Sequence, residues 1–139
     1  MLLIENESNI SLPTVLLERI YHEHATRDVE LIIIDSHTMH EINHEHRGMD
    51  KTTDVLSFPI DDFPHAPLGS ILINYELARE KANELGHTHE EEIALLFIHG
   101  LLHLLGFDHE VDAGEMREKE ACIIQANALP ASLIVRTEG

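Results

Sequence analysis

The sequence is poor in cysteine, in aromatic residues and in basic residues. Cys122 is the only cysteine among 139 residues, which excludes an internal disulfide and a cysteine-built zinc site and predicts a cytoplasmic location. Tryptophan is absent and aromatic residues make up 4%, which argues against a stacking surface for many bases. The longest apolar run, residues 93–98, is too short to cross a bilayer.

Acidic residues greatly outnumber basic ones. The chain has 9 Lys and Arg against 26 Asp and Glu, and its formal net charge is −17. Such a charge argues against binding nucleic acid or membranes by bulk attraction, so we expect neither a membrane nor DNA as a partner. The 12 histidines are unusually many and point to metal binding, pH sensing or a polar surface.

The alternation of apolar runs and turn residues predicts a single α+β domain over residues 1–139. We expect a small mixed four-stranded sheet packed with about five helices, in the order β-α-β-α-β-β-α-α-α. Ser36 is predicted to cap the second helix, and Thr88 with Glu91 to form a capping box at the fourth. The fourth helix, about residues 89–105, is apolar almost all round and is therefore predicted to be buried, with a metal site at its end.

Three histidines lie in the otherwise apolar segment 99–109. His99 and His103 are four residues apart, so one helix face can present both to one ion. Gly106 lets the chain turn back, so that His109 can supply a third ligand and leave one position for water, as in catalytic zinc sites. The alternative, three satisfied buried imidazoles, is costly among apolar side chains. The pattern predicts one Zn²⁺ per chain, although other divalent transition metals also suit imidazole ligands.

The same spacing matches the metzincin protease motif H-E-x-x-H-x-x-G-x-x-H, with one departure. Gly100 stands where such a protease has its general-base Glu. The missing carboxylate weighs against peptidase chemistry but leaves the histidine ligands of the metal in place. A literal H-E-x-x-H at His40, Glu41 and His44 lies in a polar stretch and has no third ligand at the metzincin distance. It is typical of a solvated surface, with a second metal site as the minor alternative.

Arg47 and Lys51 bring two of the nine basic residues close together before a predicted strand. The guanidinium group suits phosphate because it donates two parallel hydrogen bonds, although an arginine at a helix end is also favoured by the helix dipole. Residues 47–59 (RGMDKTTDVLSFP), 67–69 (PLG) and 99–109 (HGLLHLLGFDH) together closely resemble the YbeY family of bacterial metal-dependent endoribonucleases. Thr52 stands where many members carry proline, a change that we expect to loosen the loop.

The resemblance implies that His99, His103 and His109 bind zinc and that Arg47 is tied to activity. It implies cleavage of single-stranded RNA in ribosomal RNA processing, including maturation of the 16S rRNA 3′ end, and a role in ribosome quality control with the small ribosomal subunit. RNA would enter a small cationic pocket formed by the metal, Arg47 and Lys51. The predicted site residues are Arg47 and His99 as catalytic groups, the three histidines as metal ligands, and Asp108, Lys51 and Ser57 as groups that orient a ligand or contact the substrate.

Alternatives remain for one residue and for the function. Asp108 either orients an imidazole or is a turn residue at the helix exit. The protein is alternatively another zinc hydrolase, such as a peptidase, or a ribosome assembly factor without nuclease activity. In that last case the zinc would be structural, and Asp108 or Glu110 would supply a fourth ligand.

Overall fold

Four strands and five helices follow one another in the predicted order. The computed structural model describes residues 1–6, 8–60, 65–108 and 110–130. The strands are β1 (Leu2–Asn6), β2 (Val29–Ile34), β3 (Val55–Pro59) and β4 (Gly69–Asn74). The helices are α1 (Thr14–His24), α2 (Ser36–Arg47), α3 (Tyr75–Leu85), α4 (His89–Leu104) and α5 (Glu115–Ala126). The α+β class is confirmed, whereas His109 and residues 61–64 of the predicted loop lie outside the described residues.

The sheet is mixed, as predicted, and its strand order is β1-β2-β4-β3. Strands β1, β2 and β4 are parallel, and β3 runs antiparallel to β4. Strands β2 and β4 occupy the centre, which fits their nearly continuous apolar sequences. Strand β3 therefore forms one edge of the sheet, and this edge borders the site described below.

Helix α4 is the buried element of the fold. Its side chains from Ile93 to Ile98 are at most 1% exposed, and the helix packs on β3 and β4. Gly100 permits this close approach, because a Cβ there would lie 2.8 Å from Cγ2 of Ile71. Met39 of α2 packs with Leu56 and Leu72 in a second apolar cluster. None of the helices in the described ranges is long and apolar enough to cross a membrane.

The helix starts follow local capping chemistry. The capping box of α4 is confirmed: the N–H of Glu91 donates to Oγ1 of Thr88 at 3.0 Å, and the N–H of Thr88 donates to Oε1 of Glu91 at 2.9 Å. The predicted cap of α2 was wrong by one residue. Asp35, not Ser36, accepts the N–H of Thr38 at 2.8 Å, and Ser36 begins the helix.

Candidate active site

A cleft of about 560 Å³ lies between the end of α4, the edge strand β3 and the C-terminal end of α2. Five of the predicted site residues line it: Arg47, Ser57, His99, His103 and Asp108. The other described residues that line it are Val55, Leu56, Pro59, Gly106, Phe107 and Glu110. Segments that are far apart in the sequence thus meet at one cleft.

His99 and His103 meet at the end of α4. Their Nε2 atoms are 3.2 Å apart, and their rings are nearly perpendicular, with centroids 4.8 Å apart. Two imidazole nitrogens that bind one zinc ion at tetrahedral angles are about 3.3–3.4 Å apart, given Zn–N bonds of about 2.0–2.1 Å. The pair therefore fits two ligands of one transition metal ion.

A buried carboxylate that sequence reasoning missed lies behind His99. Oε2 of Glu120, on α5, is 3.1 Å from Nδ1 of His99, and the Glu120 side chain is only 1% exposed. A carboxylate at this distance accepts a hydrogen bond from the Nδ1–H group, and this leaves Nε2 as the nitrogen with a free lone pair on the cleft side. A signal existed in the sequence, because Glu120 interrupts the buried stripe formed by Met116, Ile123 and Ile124 on one face of α5.

No third metal ligand is present in the described residues. Within residues 1–6, 8–60, 65–108 and 110–130, no group of three His, Cys, Asp or Glu side chains could hold a metal ion. His109 lies outside these ranges, so the predicted set of His99, His103 and His109 stays a prediction.

Position 100 is packed against the sheet. Besides the contact with Ile71, a Cβ on Gly100 would lie 3.2 Å from Oγ of Ser57, which itself donates a hydrogen bond to the Gly100 carbonyl at 3.2 Å. A glutamate at this position would therefore enter the packed interface between α4 and β4. The fold has no room for the metzincin general base at its usual place in the motif.

The literal H-E-x-x-H motif lies on the exposed surface of α2. Glu41 is within 2.9 Å of His37, and His40 is within 2.8 Å of Asp50; both partners of the first pair are more than half exposed. The hydrogen bond with His40, and the charges of His40 and His44, lower the pKa of Asp50 below its usual value. The prediction of a solvated surface is confirmed, and this motif adds no metal site among the described residues.

Arg47 is the last residue of α2 and lines the cleft beside the edge strand β3. The helix ends there because Gly48 adopts a left-handed conformation with φ +67°, and its N–H donates to the His44 carbonyl at 3.0 Å. The Arg47 side chain is exposed and makes no ion pair or hydrogen bond with any described residue. Its charge is therefore available to an anionic ligand in the cleft.

The loop that follows Arg47 is held by side-chain hydrogen bonds. Oγ1 of Thr52 donates to the Ser36 carbonyl at 3.0 Å and accepts from Nδ2 of Asn74 at 3.1 Å. Nδ2 of Asn43 donates to the Lys51 carbonyl at 2.8 Å. Thr52 therefore ties the loop down instead of loosening it. The Lys51 side chain is exposed and is not among the described residues that line the cleft, so its contact with substrate stays a prediction.

Asp108 acts in the turn that follows α4. Its Oδ1 accepts the N–H of Glu110 at 3.1 Å, and its carbonyl accepts the N–H groups of Val111 and Asp112. These bonds are those of a turn residue, one of the two roles considered for it. A contact between Asp108 and a metal-binding imidazole stays a prediction.

Comparison with known proteins agrees with the resemblance. Residues 5–128 match the family "Endoribonuclease YbeY". Proteins of that name are 64% identical in Campylobacter jejuni over 81% of this chain and 85% of theirs, and 53% identical in Sulfurimonas denitrificans over the full length of both chains. The Helicobacter pylori protein of that name is 55% identical over 99% of each chain.

The fold also matches a solved structure. The solution structure of TM1509 from Thermotoga maritima superposes with a TM-score of 0.62 at 30% sequence identity, over 90% of this chain and 87% of that one. The family match and the full-length relatives agree with this likeness. The chain therefore belongs to the endoribonuclease YbeY family.

Proposed function

We propose that this endoribonuclease hydrolyses single-stranded RNA in the cleft between α4, β3 and the end of α2, with one zinc ion bound by His99, His103 and His109. Family membership is consistent with a metal-dependent enzyme that acts on RNA. The observation that carries the proposal is the pair of Nε2 atoms 3.2 Å apart at the cleft, beside the guanidinium of Arg47, which has no ion pair with a described residue. Two imidazoles beside a guanidinium suit a phosphodiester better than a neutral substrate.

Each residue has a defined part in this proposal. A divalent ion held by His99, His103 and His109 would supply Lewis acidity and would make water a better nucleophile near neutral pH. Glu120 holds the His99 ring in the orientation that presents Nε2 to the cleft. Arg47 binds the phosphate oxygens and stabilises the negative charge that develops on them during hydrolysis. Ser57 fixes the distance between β3 and α4 through its bond to the Gly100 carbonyl, and so shapes the cleft that receives the substrate.

The biological role that we propose is ribosomal RNA processing, including the 3′ end of 16S rRNA, and ribosome quality control with the small subunit. The net charge of −17 supports a role for such a partner, because a strongly acidic protein attracts free RNA poorly. We place residues 1–139 in one metallo-endoribonuclease domain and the protein in the cytoplasm. The single cysteine supports that compartment, because a chain without an internal disulfide suits a reducing environment.

The test compares two single-charge variants. Arg47→Ala should lose most cleavage of a single-stranded RNA while it still binds one zinc ion, because a protonated guanidinium has no lone pair to donate to a metal. Arg79→Ala removes the same charge from α3, where the guanidinium lies over the ring of Tyr75, and should cleave at the wild-type rate. Equal cleavage by Arg47→Ala and the wild type would remove Arg47 from the mechanism. A zinc-loaded wild type without cleavage would favour the assembly-factor alternative.

A further inference from the structure

Strand β3 uses only one side of its backbone for the sheet. The N–H of Asn74 donates to the Asp54 carbonyl at 2.9 Å, and the N–H of Ile60 donates to the Leu68 carbonyl at 3.1 Å. In an antiparallel pair the hydrogen-bonded positions alternate. The even-numbered residues from 54 to 60 therefore direct their N–H and C=O groups toward β4. The odd-numbered residues direct these groups away from it.

The outward-facing residues are Val55, Ser57 and Pro59, and all three line the cleft. Pro59 has no N–H, so the edge presents the N–H and C=O groups of two residues, followed by one carbonyl. The Ser57 hydroxyl is engaged with the Gly100 carbonyl. What the edge presents to a ligand is thus mainly backbone, in alternating donors and acceptors.

This short edge suits a nucleotide better than a peptide. Peptides that extend a sheet exchange hydrogen bonds over several residues, whereas Pro59 limits this edge to Val55 and Ser57. Arg47 borders the same cleft, and its positive charge complements a phosphate. A ribose 2′-hydroxyl both donates and accepts a hydrogen bond, and so it matches a backbone edge that offers one of each.

Resting on the proposed function, we propose that the open edge of β3 binds the ribose of a single RNA strand. The N–H of Val55 and a neighbouring carbonyl hydrogen-bond the 2′-hydroxyl of a nucleotide whose phosphate contacts Arg47, and the bound strand covers the edge as far as Ser57. The edge thereby positions the strand beside His99 and His103 and distinguishes RNA from DNA at the binding step. Because an edge has room for one extended strand, it also disfavours a duplex.

The test removes one outward N–H without removing a hydrogen bond of the sheet. Val55→Pro deletes that donor at a position equivalent to Pro59, and Val55→Ala is the matched control that keeps it. Binding of a short fluorescent RNA and of a DNA of the same sequence is measured with zinc-loaded protein before cleavage begins, and denaturing electrophoresis of the recovered RNA verifies that it is intact. One lost hydrogen bond should weaken RNA binding about 2–13-fold and leave DNA binding unchanged, so that the RNA preference falls.

Other outcomes overturn the inference. Wild-type RNA affinity in a folded Val55→Pro protein would do so, and so would an equal loss for RNA and DNA. A peptide copy of residues 69–74, flanked by lysines, serves as a competing strand. If Val55→Pro abolishes binding of this peptide and leaves RNA binding intact, the edge binds a peptide and not RNA. If wild type cleaves RNA in these cases, only the inference about β3 fails; if it neither binds nor cleaves RNA, the proposed function fails as well.

A second measurement does not depend on the proline variant. Amide hydrogen exchange in the wild-type protein should slow at Val55 and Ser57 when RNA binds and should stay unchanged at Leu56, whose N–H already faces β4. Unchanged exchange at both outward amides in the RNA complex would contradict the inference even if Val55→Pro does not fold.

Discussion

The carboxylate of Glu120 provides a quantitative test of how the site is built. Glu120 is 1% exposed and accepts from the His99 ring at 3.1 Å, so its replacement removes the group that orients one metal ligand. Loss of such a partner typically costs about 10–100-fold in metal affinity, equivalent to about 1.4–2.8 kcal/mol. Glu120→Leu should weaken zinc binding by this factor, whereas Glu120→Gln, which keeps an acceptor oxygen, should recover most of it.

Stability of the metal-free protein shows how much of this role is structural. Removing one partner of a buried pair leaves the other partner unsatisfied and destabilises the fold, whereas replacing both partners is often neutral. Metal-free Glu120→Leu should therefore unfold below the wild-type temperature, and metal-free Glu120→Gln, which keeps an acceptor for the His99 ring, should unfold closer to it. Competition with a chromophoric chelator measures the affinity, and thermal unfolding with and without zinc measures the stability. Wild-type zinc affinity in Glu120→Leu, or the same affinity loss in Glu120→Gln, would refute the reasoning.

Three further predictions concern packing and pH. Gly100→Ala places a Cβ 2.8 Å from Cγ2 of Ile71 and should lower the free energy of unfolding by about 1–3 kcal/mol; an unchanged denaturation midpoint would contradict the tight contact between α4 and β4. Both ring nitrogens of His89 are buried without a hydrogen-bond partner among the described residues, and desolvation, helped by the charge of Arg79, lowers its pKa below the usual 6.5. As the pH falls below about 6.5, His89 is protonated in the unfolded chain before it is protonated in the folded protein, so the free energy of unfolding decreases. His89→Phe should lose less of this free energy between pH 7 and 5 than the wild type. Parallel curves of stability against pH would refute this. Hydrogen bonds from Thr88 lower the pKa of Glu91 below 4.5, so this capping-box contribution is present above that pH and fades below it. Glu91→Ala should lower the free energy of unfolding, measured by chemical denaturation, more at pH 7 than at pH 3, and an equal cost at both would contradict the linkage.

Local patterns in the sequence were sufficient for the element order, because each strand and helix carries its own signal. The buried run in α4 and the Thr88–Glu91 box are of this kind. The start of α2 was misplaced because Asp35 and Ser36 are adjacent and both are good caps, and only the backbone conformation decides between them.

The site depended on contacts that a linear sequence does not contain. Glu120 lies 21 residues from His99, and its position in an apolar stripe shows that it has a buried partner without showing which one. Lys51 is close to Arg47 in the sequence, but the turn at Gly48 and the bond from Asn43 direct the chain elsewhere, and Lys51 does not line the cleft in the described structure. The spacing of His99 and His103 was informative because one helix carries both.

Cleavage of single-stranded RNA by metal-free and zinc-reconstituted protein tests the central claim most directly. Protein freed of contaminating nucleases and of metal should be inactive, and activity should rise with zinc up to one ion per chain. His103→Ala should remain inactive at the same zinc concentration. Equal cleavage by the metal-free protein, or by zinc-treated His103→Ala, would contradict a metal-dependent endoribonuclease site at the end of α4.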